Sequence, residues 1–189
     1  GDLHELSQNL EQKVILRTAQ LAAKNRDIQA ILTNIKQGIY TFGESGKIHP
    51  DYSEYLHELV DGDISSQDPV HLLTDGSGMS DGEVTELRAA ITPTIGADVL
   101  SFELNEHIFP REFKRTLDGE RKQILETDWQ VLATPDDEVE KMMVVIRDVT
   151  QVRELEEESK EKSRELHLIE LIISEKSKGL EGFFVGSAK

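Results

Sequence analysis

Six histidines are the side chains of this chain best suited to ligate a metal, accept a phosphoryl group or move a proton near neutral pH: His4, His49, His57, His71, His107 and His167. No metal-ligand cluster can be read from their spacing, and no Ser-His-Asp arrangement is identifiable. Cysteine is absent, which excludes disulfides, thiolate metal sites and any cysteine-linked cofactor adduct. Carboxylates are abundant, but in a chain with 37 acidic residues their adjacency carries little information. Gly76-Ser77-Gly78 is too short for a phosphate cradle and lacks the neighbouring lysine and strand. The expectation is a chain without catalytic machinery of its own.

Composition narrows the field further. The chain has 189 residues, 37% of them hydrophobic, enough for one core of ordinary size with helical extensions. A net charge of −16 opposes nonspecific attraction to nucleic acid or to an anionic membrane surface, so neither is expected as a partner. No apolar run reaches membrane-spanning length, and Gly1-Asp2-Leu3-His4 has none of the features of a signal peptide. A cytoplasmic location is expected, and the ends at Gly1 and Lys189 are read as those of an excised fragment.

The elements that would position any function fall into three parts. In residues 1–26 and slightly beyond, Leu3, Ser7, Leu10, Val14, Arg17, Leu21, Lys24, Ile28, Ile31 and Ile35 recur alternately four and three residues apart. Residues 151–189 repeat the pattern as Val152, Leu155, Ser159, Lys162, Leu166, Ile169 and Ile173. Each is a heptad seam, too narrow to be covered by a lone helix, and it calls for a partner helix. The expectation is a homodimer through parallel coiled coils. The competing arrangement folds each helix back on the middle of the chain or on the other helix.

Between the seams, residues 27–150 read as one mixed domain. Gly38-Ile39-Tyr40-Thr41-Phe42 and Lys47-Ile48-His49 suggest two strands joined by the turn Gly43-Glu44-Ser45-Gly46. Pro50 and Asp51 then open a helix over 52–60, stopped at Asp61-Gly62-Asp63. One helical turn is expected at Val70-His71-Leu72-Leu73. Ser80 with Glu83 forms a capping box for the next helix, and Pro93 and Gly96 split the stretch from Ser80 to Leu104 into two helices. Three strands come next: 111–117, 121–132 after the hairpin signal Asp118-Gly119, and 141–150 after the turn Pro135-Asp136-Asp137. The fold class implied is α+β, a five-stranded antiparallel sheet with short helices on one face and long helices at both ends.

That order resembles the PAS sensory fold, over roughly Asp27 to Val152. Asp27-Ile28-Gln29-Ala30-Ile31-Leu32-Thr33-Asn34-Ile35-Lys36-Gln37-Gly38-Ile39 looks like the first helix and strand of such domains in bacterial sensor kinases. Asp148-Val149-Thr150 is similar to the family's terminal Asp-hydrophobic-Thr motif, which implies that Asp148 and Thr150 tie the last strand to the outgoing helix. Plain N-capping by Thr150 is the alternative on local physics. The segment from Leu10 to Arg26 looks like a linker helix of histidine kinases, and Leu166 to Phe184 faintly resembles the lead-in to a phosphotransfer module.

The resemblance implies a sensory and dimerisation module that relays conformational change to a downstream kinase or phosphotransfer module. Arg17, Lys24, Ser159 and Lys162 weaken the seams and are candidate switch points. His167 lacks the following acidic residue and nearby proline of a kinase phosphoacceptor, and His4 and His57 lack the proline. No cofactor is expected. If haem were held, His71 and His107 would be the axial candidates, being near the helices that line a PAS pocket, whereas a light-sensing flavin adduct would need a cysteine. The rival functions are a ligand-free module that only sets dimer geometry, a haem- or flavin-binding redox or gas sensor, and the sensor of a nucleotide cyclase.

Overall fold

A computed structural model describes residues 2–60, 63–117 and 121–186. The chain divides into two compact units, with the division between Asp148 and Val149. The first unit holds α1 (Asp2–Asn34), β1 (Gly38–Gly43), α2 (Leu56–Leu59), α3 (Pro69–Thr74), α4 (Asp81–Thr94) and α5 (Val99–Asn105). A 3-10 turn at Glu106–Ile108 leads into β2 (Glu112–Leu117), β3 (Arg121–Ala133) and β4 (Val139–Asp148). The second unit is α6 (Thr150–Gly186). The Asp61-Gly62 stop and the Asp118-Gly119 hairpin signal lie outside the described residues.

Among the described residues the sheet has four strands, all antiparallel, in the order β1-β4-β3-β2. The fifth strand expected at Lys47-Ile48-His49 is reduced to a single bridge between Phe42 and Ile48. Ile48 turns its backbone elsewhere: its N–H donates to Gln67 at 3.0 Å and its carbonyl accepts from Ser66 at 3.2 Å. Pro50, with no N–H, prevents the ladder from continuing. The helix expected over 52–60 is also shorter than its periodicity suggests, because Ser53 is held by β1 and only Leu56–Leu59 are helical. β4 ends at Asp148, earlier than expected, and Thr150 already belongs to α6.

Period-two alternation sets the inner face of the sheet. Tyr40 and Phe42 of β1 stand opposite Val144 and Met142 of β4, and Trp129 of β3 stands opposite Val144 from the other side. All five are buried, and they pack with Leu56, Leu59, Leu73, Leu87, Ile91 and Phe102 from the helices. Each such side chain contributes about 1.5–3 kcal/mol when fully removed from water. Gly38 is required by this packing, since a Cβ there would stand 2.7 Å from Leu56 Cδ2 and 2.8 Å from Leu59 Cδ1.

The helices begin where caps place them. Ser80 Oγ accepts from the Glu83 N–H at 3.3 Å and the Glu83 carboxylate accepts from the Ser80 N–H at 2.8 Å, the capping box expected from sequence. Asp68 caps α3 through the N–H groups of Val70 and His71, and Asp98 caps α5 through Ser101. Pro93 lies in the last turn of α4, and Gly96 at φ +84° makes the break before α5.

Candidate functional site

The joint between α1 and the sheet is held by a buried polar side chain. α1 runs without interruption across residues 26 and 27 to Asn34, and β1 begins four residues later at Gly38. Ser53, fully buried, clamps this joint. Its hydroxyl donates to the Gln37 carbonyl at 2.7 Å and accepts from the Ile39 N–H at 2.8 Å, while its own N–H donates to the Ile39 carbonyl at 2.9 Å. Two further bonds fasten the end of α1 to the domain. Glu54 N–H reaches the Leu32 carbonyl at 3.2 Å, and Gln29 Nε2 reaches Asp51 Oδ1 at 3.3 Å.

β4 ends at the end of the sheet where β1 begins. β1 and β4 are antiparallel neighbours with Gly38 opposite Ile146, so the first residue of β1 stands two positions from the last residue of β4, Asp148. Asp148 is partly buried and accepts from Gln123 Nε2 at 3.2 Å, while Thr150 is the first residue of α6. Within the first turn of that helix, Arg153 N–H donates to the Val149 carbonyl at 2.9 Å.

The core between sheet and helices uses its own polar groups. Tyr40 donates its hydroxyl to the Pro69 carbonyl at 3.1 Å; burial, and then the charge of Asp68, pushes this phenol well above its ordinary pKa, so it stays a neutral donor. Thr127 and Trp129 both donate to the Pro110 carbonyl, at 2.6 and 2.9 Å. On the surface, a groove of about 320 Å³ runs between the end of β1 and α4, and the Asp68–Arg88 ion pair at 2.5 Å stands among its lining residues.

The histidines lie apart from all of this. His71 is exposed on α3 and His107 is exposed in the 3-10 turn, and neither belongs to the buried core. His4, His57 and His167 are exposed on helices, whereas His49 is half-buried beside the Thr41 hydroxyl at 3.0 Å. Among the described residues there is no group of three or more His, Asp or Glu placed to hold a metal ion. Nor is any described helix long and apolar enough to cross a membrane.

The seam positions are laid bare along both helices. Leu10, Val14, Leu21, Ile28 and Ile31 of α1 are 52–65% exposed, and Val152, Leu155, Leu166, Ile169 and Ile173 of α6 are 45–63% exposed. Ile15, Leu16, Leu168, Leu171 and Ile172 are exposed as well, off the seam. Sequence reasoning misses Ser53 and, within the sheet, two further buried polar residues. Arg115 and Gln123, at 3% and 2% exposure, face each other across β2 and β3 inside the core. Alternation from Phe113 is the signal that could have placed Arg115 on the inner face.

No protein-family model and no curated protein matches the chain. Among solved structures it is similar to a PAS domain from Colwellia psychrerythraea, with 15% identity, a TM-score of 0.46, and coverage of 69% of this chain and 98% of that one. The PAS domain of BvgS from Bordetella pertussis gives 14% identity, a TM-score of 0.44, and coverage of 76% and 98%. An RNA-binding light-oxygen-voltage receptor gives 9% identity and a TM-score of 0.52 over 75% of this chain, which spans 38% of that receptor. With an antiparallel sheet in the order β1-β4-β3-β2 and its short helices inserted between β1 and β2, the chain shares the fold of the matching part of that receptor.

Proposed function

We propose that this chain is the sensory and dimerisation module of a bacterial signal-transduction protein, of the histidine-kinase type. Input arrives through α1, and α6 delivers it to a downstream kinase or phosphotransfer module. The observation that carries this reading is the pairing of Gly38 with Ile146. It puts the strand that follows α1 beside the strand that precedes α6, with both joints at one end of the sheet. A twist at the Ser53 clamp therefore acts on β4 through a continuous ladder of backbone bonds, near the residue from which α6 departs. Asp148 and Thr150 couple that strand to the helix.

The bare seams of α1 and α6 support pairing with a second copy in parallel, since a narrow apolar stripe gains most from an identical helix in register. Polar residues at Arg17, Lys24, Ser159 and Lys162 keep both coils weak enough to exchange between two packings.

The test is a phase experiment. The chain is joined ahead of a dimerisation-dependent reporter kinase, and one, four or all seven residues of the span from Glu156 through Lys162 are deleted. Output should change with one or four residues removed and recover with seven, a full heptad. Output indifferent to helical phase would refute the relay.

A further inference from the structure

We propose that Arg115 and Gln123 are positioning residues that link the helical layer to the start of α6 through Asp148; this rests on the relay reading. Four elements, α2, β2, β3 and β4, are joined through two side chains that are almost completely inaccessible, those of Arg115 and Gln123. The Arg115 guanidinium donates to the carbonyl of Leu59, the last residue of α2. Its Nε donates to Gln123 Oε1 at 3.0 Å, and Gln123 Nε2 donates in turn to Asp148 Oδ2 at 3.2 Å. The path crosses β2, β3 and β4 on the inner face. Arg115 and Gln123 are cross-strand partners, and Gln123 lies two residues from Leu125, whose partner is Asp148. Only Val149 then separates Asp148 from the first residue of α6.

Chemistry explains why such a thread transmits position. A guanidinium and a carboxamide inside an apolar core are costly unless bonded, and apolar side chains of similar volume commonly serve stability equally well. What the polar groups add is direction. Gln123 spends its acceptor on Arg115 and its donor on Asp148, so the amide cannot flip without breaking both bonds. The far end is set by α2, whose Leu56 and Leu59 press on Gly38 at the joint with α1. A shift at Gly38 therefore reaches Asp148 by two routes, along the sheet and through Leu59, Arg115 and Gln123.

The thread is tested by hydrogen exchange on the 189-residue chain, comparing wild type with Gln123→Glu, Gln123→Met and the double variant Arg115→Met/Gln123→Met. Gln123→Glu keeps an acceptor for Arg115 and loses the N–H that holds Asp148. The double variant removes both polar groups and serves where a single variant folds poorly. The expected result in every variant that folds is exchange about tenfold faster at residues 150–155, with amides around Trp129 and Val144 within about twofold of wild type. Unchanged protection at 150–155, or uniform acceleration throughout β2, β3 and β4, would overturn the proposal and leave a structural role alone. Sedimentation of the wild-type chain separates the two failures, because a chain that stays monomeric contradicts the relay whatever the exchange pattern.

Discussion

Replacing Ser159 and Lys162 with leucine should convert the weak centre of the α6 seam into a strong one. Both positions lie between Leu155 and Leu166, which are 59% and 63% exposed in a single chain and so have most of their area left to bury. A leucine at a two-helix seam is partly covered, for about 1 kcal/mol out of the ~1.5–3 available on full burial. Two substitutions in each of two chains then contribute about 4 kcal/mol. Against this stands the loss of the Lys162–Glu158 pair, 2.7 Å long and well exposed, at roughly 0.5 kcal/mol per chain. The balance, about 3 kcal/mol per dimer, is a dimer Kd lower by about a hundredfold. Sedimentation equilibrium across a dilution series reads it directly, with Lys160→Leu/Glu161→Leu as a control of equal hydrophobicity off the seam. A Kd that moves by less than about threefold, or an equal tightening in the control, would refute the assignment of these positions to a dimer seam.

Single contacts give three further predictions. Gly38→Ala should destabilise the domain by about 1–3 kcal/mol in urea unfolding, because the added methyl meets Leu56 and Leu59 in a buried position. Ser53→Ala removes two bonds at the α1 joint and should lower stability by about 2 kcal/mol; a loss near zero would remove the clamp from the account. Burial pushes the Asp68 carboxyl upward, but Arg88 and the N–H groups of His71 and Val70 outweigh it and hold the group below its ordinary value. A folded-state pKa below the unfolded value of about 3.9 stabilises the fold above that pH and is lost as pH falls through the folded value. Urea unfolding measured from about pH 5 to about pH 2 should therefore lose stability less steeply in Asp68→Asn than in wild type.

The elements legible from sequence are those whose signals are local. The Ser80–Glu83 box, the break at Pro93 and Gly96, and the β-forming runs that become β1, β3 and β4 all depend on neighbours within a few residues, and the fold bears them out. The missing fifth strand and the shortened helix near Ser53 are decided by partners far along the chain. Ile48 turns to Gln67 and Ser66, and Ser53 turns back to Gln37 and Ile39, which no local pattern announces. Arg115 is hidden for a related reason: a strand dense in charge, Arg111-Glu112-Phe113-Lys114-Arg115, reads as solvated unless its register is known. The four-and-three pattern of α6 is legible as a row of exposed apolar residues, and that row is only part of the apolar surface around it. From Leu166 to Ile173 only His167 and Glu170 are polar, so the apolar surface there is wider than a two-helix seam alone would cover.

The central claim, that two copies pair in parallel along both long helices, is open to one direct measurement. The chain has no cysteine, so single cysteines can be placed one at a time along α1 and α6 without background. A disulfide forms only where two Cα atoms come within about 7 Å, which in a parallel in-register coil happens at seam positions and fails on the outer face. Crosslinking should peak at Leu10, Val14 and Leu21 on α1 and at Leu155, Leu166 and Ile169 on α6, with minima between. A flat profile, or peaks at the intervening charged positions, would contradict the account.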